Sequence, residues 1–285
     1  MSEAGRPESI VPADRGSAAP EPPLAGVTAL VTGATGKLGP VWCGALLEAG
    51  ARVAGVDRPG AARSPGFAGL AETAGDRLRL YHADVLDRSA LETVRARCTA
   101  ELGAPGVLVN NAGIDAPPGP AVTYRIEDIP VEVFRGVLDV NLVGAFQAAQ
   151  VFGPAMVQAG RGSIINIGSL YATVSPDARF YDHLPADPPF LKPPAYGASK
   201  GGLLNLTRYL ATHWGPAGVR VNALSPGGVE GGQDAEFKRK FTGRVPLGRM
   251  AAPNDLRGPL IFLASEMSSY VTGIELRVDG GFTAW

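Results

Sequence analysis

From residue 27 onward, short runs of apolar, largely β-branched residues alternate with longer stretches of helical periodicity, and this alternation restricts the chain to one kind of architecture. Runs at 27–32, 52–57, 78–82, 107–110, 163–167, 219–224 and 274–278 read as strands. Helical patterns cover 38–49, 88–102, 130–159, 195–214, 235–241 and 254–265. Strands that are apolar on both faces have to be covered on both faces, which a parallel sheet between helices achieves. The expected fold class is α/β: a single doubly wound domain with a parallel seven-stranded sheet and helices on both faces.

Composition bounds the rest. Residues 1–24 are rich in Pro, Ala, Ser, Gly and charge, so they read as a disordered N-terminal tail ahead of a domain at 25–285. The formal net charge of −1, with no basic cluster, gives no reason to expect a nucleic-acid partner. No apolar run reads as long enough to span a membrane, and the N-terminus lacks the apolar core of a secretory signal. Cys43 and Cys98 fall in amphipathic helical patterns without metal-ligand or redox spacing, which suits buried thiols in a reducing cytoplasm. The three histidines are scattered, and no metal site is expected.

The first strand runs directly into Thr32-Gly-Ala-Thr-Gly-Lys-Leu-Gly39, which opens a helix. Glycines there permit a tight turn and let the backbone approach a pyrophosphate, whose charge the helix N-terminus stabilises. This makes the domain Rossmann-type, with Gly33, Thr35, Gly36, Lys37, Leu38 and Gly39 as candidate cofactor-binding residues. Asp57 closes the second strand, where a carboxylate accepts hydrogen bonds from a ribose 2′-hydroxyl and repels a 2′-phosphate. NAD is therefore expected, with NADP possible because Arg58 and Lys37 offer two nearby cations.

Tyr196 and Lys200 lie four residues apart in a helical stretch, on one face and one turn from each other. A phenol has an ordinary pKa of about 10. A cationic neighbour stabilises the phenolate, so Lys200 is expected to lower that pKa and make Tyr196 a usable proton shuttle.

With these residues the chain resembles the short-chain dehydrogenase/reductase family over about residues 25–285. Asn110-Asn-Ala-Gly113 follows the fourth strand, and Asn141 lies in the long helix. Ser169 ends the fifth strand, and Ser225-Pro-Gly227 ends the sixth. Asp279-Gly-Gly281 comes near the C-terminus. The resemblance implies that Tyr196 is the general acid/base, that Lys200 lowers its pKa and holds the nicotinamide ribose, and that Ser169 polarises the substrate oxygen. Asn141 would hold a water that leads protons out. Asp84 and Val85 would flank the adenine, Asn111, Ala112 and Gly113 would line the cofactor groove, and the backbone of Pro226, Gly227 and Val229 would face the carboxamide. It also implies a homo-oligomer, tetramer or dimer.

Two departures stand out. Gly33, Gly36 and Gly39 have the spacing of the extended branch of that family, although the other motifs fit the single-domain branch. The Thr usually found shortly after Pro226-Gly is absent, the sequence being Gly228-Val-Glu-Gly-Gly232. In addition, Ser169 and Tyr196 stand 27 positions apart, about twice the usual family separation. The extra segment holds Tyr171, Asp177, Arg179, Phe180, Tyr181, Asp182, His183 and Asp187, and is expected to roof the substrate pocket and suit a polar substrate. Residues 231–249, with Glu236, Lys238, Arg239 and Lys240, are expected to form a flap. The expected activity is NAD(P)-dependent interconversion of a secondary alcohol and a ketone on a polyhydroxylated, sugar-like or biosynthetic small molecule. The alternatives are an NADPH-dependent 3-oxoacyl-thioester reductase, an NAD-dependent epimerase with no net redox change, and a non-catalytic NAD-binding regulator.

Overall fold

Among the described residues seven strands form, most of them on short apolar runs. They are β1 (Thr28–Thr32), β2 (Arg52–Asp57), β3 (Leu78–His82), β4 (Val107–Asn110), β5 (Gly162–Ile167), β6 (Val219–Pro226) and β7 (Glu275–Val278). A computed structural model describes residues 21–115 and 123–285. The strands pair in the order β3-β2-β1-β4-β5-β6-β7, every pairing parallel. Along β1, Val31 and Ala29 point into one core while Leu30 points into the other; Val109 and Leu108 of β4 divide the same way.

The α-helices among the described residues are α1 (Gly39–Glu48), α2 (Pro65–Ala74), α3 (Arg88–Glu101), α4 (Val131–Leu138), α5 (Gly144–Ala159), α6 (Pro194–Trp214), α7 (Ala235–Thr242) and α8 (Arg257–Ala264). Trp42 and Leu46 of α1, Phe67 of α2 and Leu260 of α8 fill one face. Leu91 of α3, Phe152 of α5 and Leu210 of α6 fill the other. Cys43 and Cys98 are buried thiols, each pushed up to about 12, chiefly by burial. The sheet is thus the expected doubly wound one, and strand order reverses between β1 and β4, where such sheets open a crevice at their carboxyl edge.

Three details differ from the sequence reading. Helix α2 has no counterpart in it, because Gly66 and Gly69 interrupt its apolar pattern. Parallel neighbours β2 and β3 nevertheless need a crossover, and the only described α-helix between them is α2. The last residue of the expected tail is also packed. Leu24 is 1% exposed and donates its N–H to the Ala49 carbonyl at 2.9 Å, because its apolar side chain closes the core beside α1. Residues 1–20 of the expected tail lie outside the described residues. Finally, the helix Val131–Ala159 is long and apolar enough to cross a membrane by length and composition. Ala148, Phe152 and Met156 of this helix belong to the core beneath the sheet, which accounts for its apolar character.

Candidate active site

The expected site residues gather at the carboxyl edge of the sheet. Tyr196 and Lys200 stand one turn apart near the start of α6. Lys200 is 5% exposed and donates from Nζ to the Ile167 carbonyl, at the end of β5, at 2.6 Å. Burial pulls its pKa down to about 8, opposed by the Asp115 carboxylate. Ser169, 7% exposed, follows β5 and accepts the Tyr171 N–H at 3.2 Å, and it stands near enough to the Tyr196 phenol to act on its pKa.

The Tyr196 phenol does not shift as expected. Burial pushes it up, and the Asp115 carboxylate pushes the same way, while the Ser169 hydrogen bond pulls down. The Lys200 ammonium lies 5.8 Å from the ring centroid, too far to reverse desolvation in the chain alone. Tyr196 is therefore held as a protonated acid.

Asn141 also differs. It is 1% exposed and sits in a π-helical turn, Asp139–Val143, between α4 and α5. Its Oδ1 accepts the Ile114 N–H at 2.7 Å, and its Nδ2 donates to the Ile114 carbonyl and to Ser199 Oγ, both at 3.1 Å. Ser199 Oγ in turn donates to the Tyr196 carbonyl at 2.7 Å. The side chain ties the loop after β4 to the first turns of α6, with both Nδ2 donors used and one Oδ1 lone pair left over. The wide turn, in which Gly144 N–H reaches Asp139 carbonyl, breaks the regular helical ladder and is the kind of backbone found at functional sites.

The dinucleotide end is built largely from backbone. Gly33 has φ +64°, and a Cβ there would stand 2.8 Å from Ala112 Cα; a Cβ on Gly39 would stand 2.2 Å from the Ala34 carbonyl oxygen. Asp57 Oδ2 accepts the Thr35 N–H at 2.9 Å and hydroxyl at 2.7 Å, and Oδ1 accepts the Arg58 N–H at 2.9 Å. The carboxylate therefore clasps the glycine turn while keeping one acceptor position, on Oδ1, for a ribose hydroxyl. Asn111 is wholly occupied in bracing that turn: it donates to the Thr32 and Gly33 carbonyls and accepts from Trp42 Nε1 at 2.7 Å. Only its backbone, with Ala112 and Gly113, is left to line a groove.

A dinucleotide fits this edge. Helix α1 has no side-chain cap at Leu38, and the N–H groups of Lys37 and Leu38 have no partner among the described residues. These are the donors a pyrophosphate needs at a helix N-terminus. Gly36, Lys37 and Arg58 are exposed beside them. Asp84 is exposed after β3 and accepts the Leu86 N–H, while Val85 is buried. Pro226 ends β6, Gly227 N–H bonds to the Val278 carbonyl at 2.9 Å, and Val229 bridges to Ala251, with its carbonyl accepting from Gln233 Nε2.

The charged residues of the long insertion and the flap turn toward each other rather than toward a ligand. His183 Nε2 meets Asp234 Oδ1 at 2.9 Å, Lys240 pairs with Asp182, Arg239 pairs with Glu236, and Asp177 takes Arg179 at 2.7 Å. Beneath them, Phe180 and Tyr181 pack on Phe237 and Phe241 of α7 and on Phe282. Apolar packing explains this: the aromatic rings dock the insertion on α7, and the charges ring that contact. Two residues at the site escaped the sequence reading, Asp115 and Lys192, which pair at 2.6 Å across the cleft. The one signal available was the position of Asp115, two residues past Gly113.

The profile of a family described as Enoyl-(Acyl carrier protein) reductase matches residues 38–283. Galactitol 2-dehydrogenase (L-tagatose-forming) from Cereibacter sphaeroides is 36% identical over 269 residues, covering 92% of this chain and 97% of that protein. A gluconate 5-dehydrogenase from Burkholderia cenocepacia, solved in complex with NADP and tartrate, aligns with TM-score 0.78 at 30% identity, over 93% of this chain and 98% of that one. A short-chain dehydrogenase from Leptospira borgpetersenii with bound NAD+ aligns with TM-score 0.77 at 32% identity, over 91% and 94%. The chain belongs to the short-chain dehydrogenase/reductase family, as an NAD(P)-dependent oxidoreductase of CH–OH groups.

Proposed function

We propose that this enzyme interconverts a secondary alcohol and a ketone on a polyhydroxylated, sugar-like small molecule, with Tyr196 as the general acid/base. One geometry carries the reading: Lys200, buried one helical turn from Tyr196 and anchored on the Ile167 carbonyl, with Ser169 near enough to pull the Tyr196 pKa down. The galactitol dehydrogenase relative supports the substrate class. When bound, the nicotinamide cofactor supplies or takes the hydride. In reduction, Tyr196 donates its proton to the carbonyl oxygen while Ser169 hydrogen-bonds that oxygen and stabilises its developing charge. In oxidation the same proton returns to Tyr196 Oη. Lys200 holds the nicotinamide ribose and stabilises the phenolate that forms. Asn141 acts as a positioning residue, keeping the Ile114 loop and the α6 turn in register, and the backbone of its π turn takes the water-holding role.

Burial keeps the Tyr196 phenol protonated through neutral pH, so reduction is ready there, whereas oxidation quickens as pH rises and the phenolate forms. NAD is preferred to NADP, because Asp57 closes the ribose end with negative charge. Cofactor groups are held by Gly33, Thr35, Gly36, Lys37, Leu38, Gly39, Arg58, Asp84, Val85, the Asn111–Gly113 backbone, Pro226, Gly227 and Val229. The enzyme works in the cytoplasm as a homotetramer or dimer. Exposed Val131 and Val133 of α4, with Phe146 of α5, supply an apolar face for such an interface.

Steady-state assays of the purified enzyme with polyols and NAD+, and with NADP+ in parallel, test the proposal. Turnover that survives in Tyr196→Phe refutes the mechanism. The family profile's description favours one second reading, a 3-oxoacyl-thioester reductase, and an acyl-thioester arm in the same assay separates the two.

A further inference from the structure

Lys192 is a buried cation in a place where folding alone gives no reason for one. It is 9% exposed, and its Nζ lies 2.6 Å from Asp115 Oδ1 and 2.7 Å from Oδ2. The same nitrogen stands 5.2 Å from the Tyr196 ring centroid and 5.9 Å from that of Tyr171. Asp115 comes from the loop after β4 and Lys192 from the end of the insertion, so the pair closes over the catalytic phenol from opposite sides of the cleft. An ion pair with one partner exposed adds little to stability, because solvent screens the attraction and the buried ammonium is desolvated.

The two partners are unequally buried. The Lys192 side chain is 7% exposed and that of Asp115 is 42% exposed, so the carboxylate is the more accessible of the two. An ammonium has three donors, and Lys192 has no partner other than Asp115 among the described residues, so one donor is left over. A carboxylate has about four acceptor positions, and the ion pair occupies half of them. A donor and an acceptor therefore lie side by side next to Tyr196, which is what one hydroxyl group needs. An anionic substrate would meet the exposed Asp115 carboxylate first and be repelled.

We infer that Asp115 and Lys192 form a specificity-determining pair that binds a hydroxyl on the carbon next to the reacting one, so that the preferred substrate is a neutral vicinal diol or polyol. The inference rests on the proposed alcohol dehydrogenase activity and narrows it against simple alcohols and hydroxy acids.

The test compares kcat/KM of the full-length enzyme for butane-2,3-diol, butan-2-ol and 2,3-dihydroxybutanoate. The wild type is expected to prefer the diol to both. Asp115→Asn and Lys192→Met are each expected to lower the diol-to-butan-2-ol ratio by about tenfold or more, the worth of a hydrogen bond to a charged group. If a single variant fails to fold because the other charge is left buried and unpaired, the double change Asp115→Asn with Lys192→Gln removes both charges and is read by the same ratio. A ratio that stays at the wild-type value in the folded variants overturns the inference. So does a wild type that prefers the dihydroxy acid, with Asp115→Asn improving that preference. Turnover of butan-2-ol, and its loss in Tyr196→Phe, reports on the dehydrogenase activity separately, so an unchanged ratio counts against the pair alone.

Discussion

The two sides of the carboxyl edge are built by different means. On the β1–β4 side a groove is made from backbone: a glycine turn, uncapped N–H groups at the start of α1, and an Asn111 that braces the turn without facing a ligand. On the β5–β6 side the walls are side chains, an aromatic cluster ringed by ion pairs and closed by Asp115 and Lys192. Backbone recognition suits a cofactor common to many enzymes. Side-chain recognition can change without disturbing the sheet, and Ser169, Tyr196 and Lys200, the proposed catalytic residues, stand where the two meet.

The largest expected effect falls at that junction. Tyr196→Phe should lower kcat by about 10²–10⁴-fold, the usual contribution of a positioned acid/base. Cofactor binding, followed by nicotinamide fluorescence, should change little, because the groove does not depend on the phenol. Equal losses in both would erase the distinction between the two sides. Next comes Phe180→Ala, which removes a 3%-exposed ring that contacts Phe237, Phe241 and Phe282. Its cost, about 3–5 kcal/mol, should be felt locally. Hydrogen exchange should quicken in 178–190 and in α7, and substrate KM should rise while β1 and α1 keep their protection. Uniform loss of protection would show that the insertion is part of the main core.

This contrast also explains what could be read from the sequence. The strands were legible because residues such as Leu30 and Val31 are apolar on both faces, and the glycine turn was legible because its chemistry is local. Helix α2 was hidden by Gly66 and Gly69, and Leu24 by the polar segment before it. Tyr196, Lys200 and Ser169 come together as expected, but the direction of the Tyr196 shift depends on burial, which spacing does not encode. The charges of the insertion suggested a polar pocket, yet Asp182, His183 and Lys240 turned out to fasten the insertion to α7. The Asp115–Lys192 pair joins loops 77 positions apart, and no local pattern announces it.

Lys200 offers a smaller, pH-dependent check. Burial lowers its pKa from the ordinary 10.5 of a lysine to about 8, so between these pH values the unfolded chain binds a proton that the native chain does not. Stability from this group therefore rises with pH across that window, by at most about 1.4 kcal/mol per unit. Cys43, Cys98 and Tyr196 are all shifted upward and act in the opposite sense at higher pH. The difference between wild type and Lys200→Met cancels them. Lys200→Met should be inactive yet more stable below pH 8, because it removes a buried charge; a variant that is less stable there would mean that the Ile167 hydrogen bond outweighs the desolvation of the ammonium.

The smallest effect tests how far the cofactor side depends on any side chain. Thr35 is 3% exposed, and its hydroxyl donates to Asp57 Oδ2 at 2.7 Å. Thr35→Val preserves the shape and removes that one bond, while the Thr35 and Arg58 N–H groups still hold the carboxylate. One net hydrogen bond is worth about 1 kcal/mol, so the NAD+ Kd should weaken about fivefold or less, with substrate KM at saturating cofactor unchanged. A much larger loss would mean that the hydroxyl, rather than the backbone turn, sets the position of Asp57. In that case the cofactor side too would be held by side chains, and the division between a backbone-built groove and a side-chain-built pocket would fail.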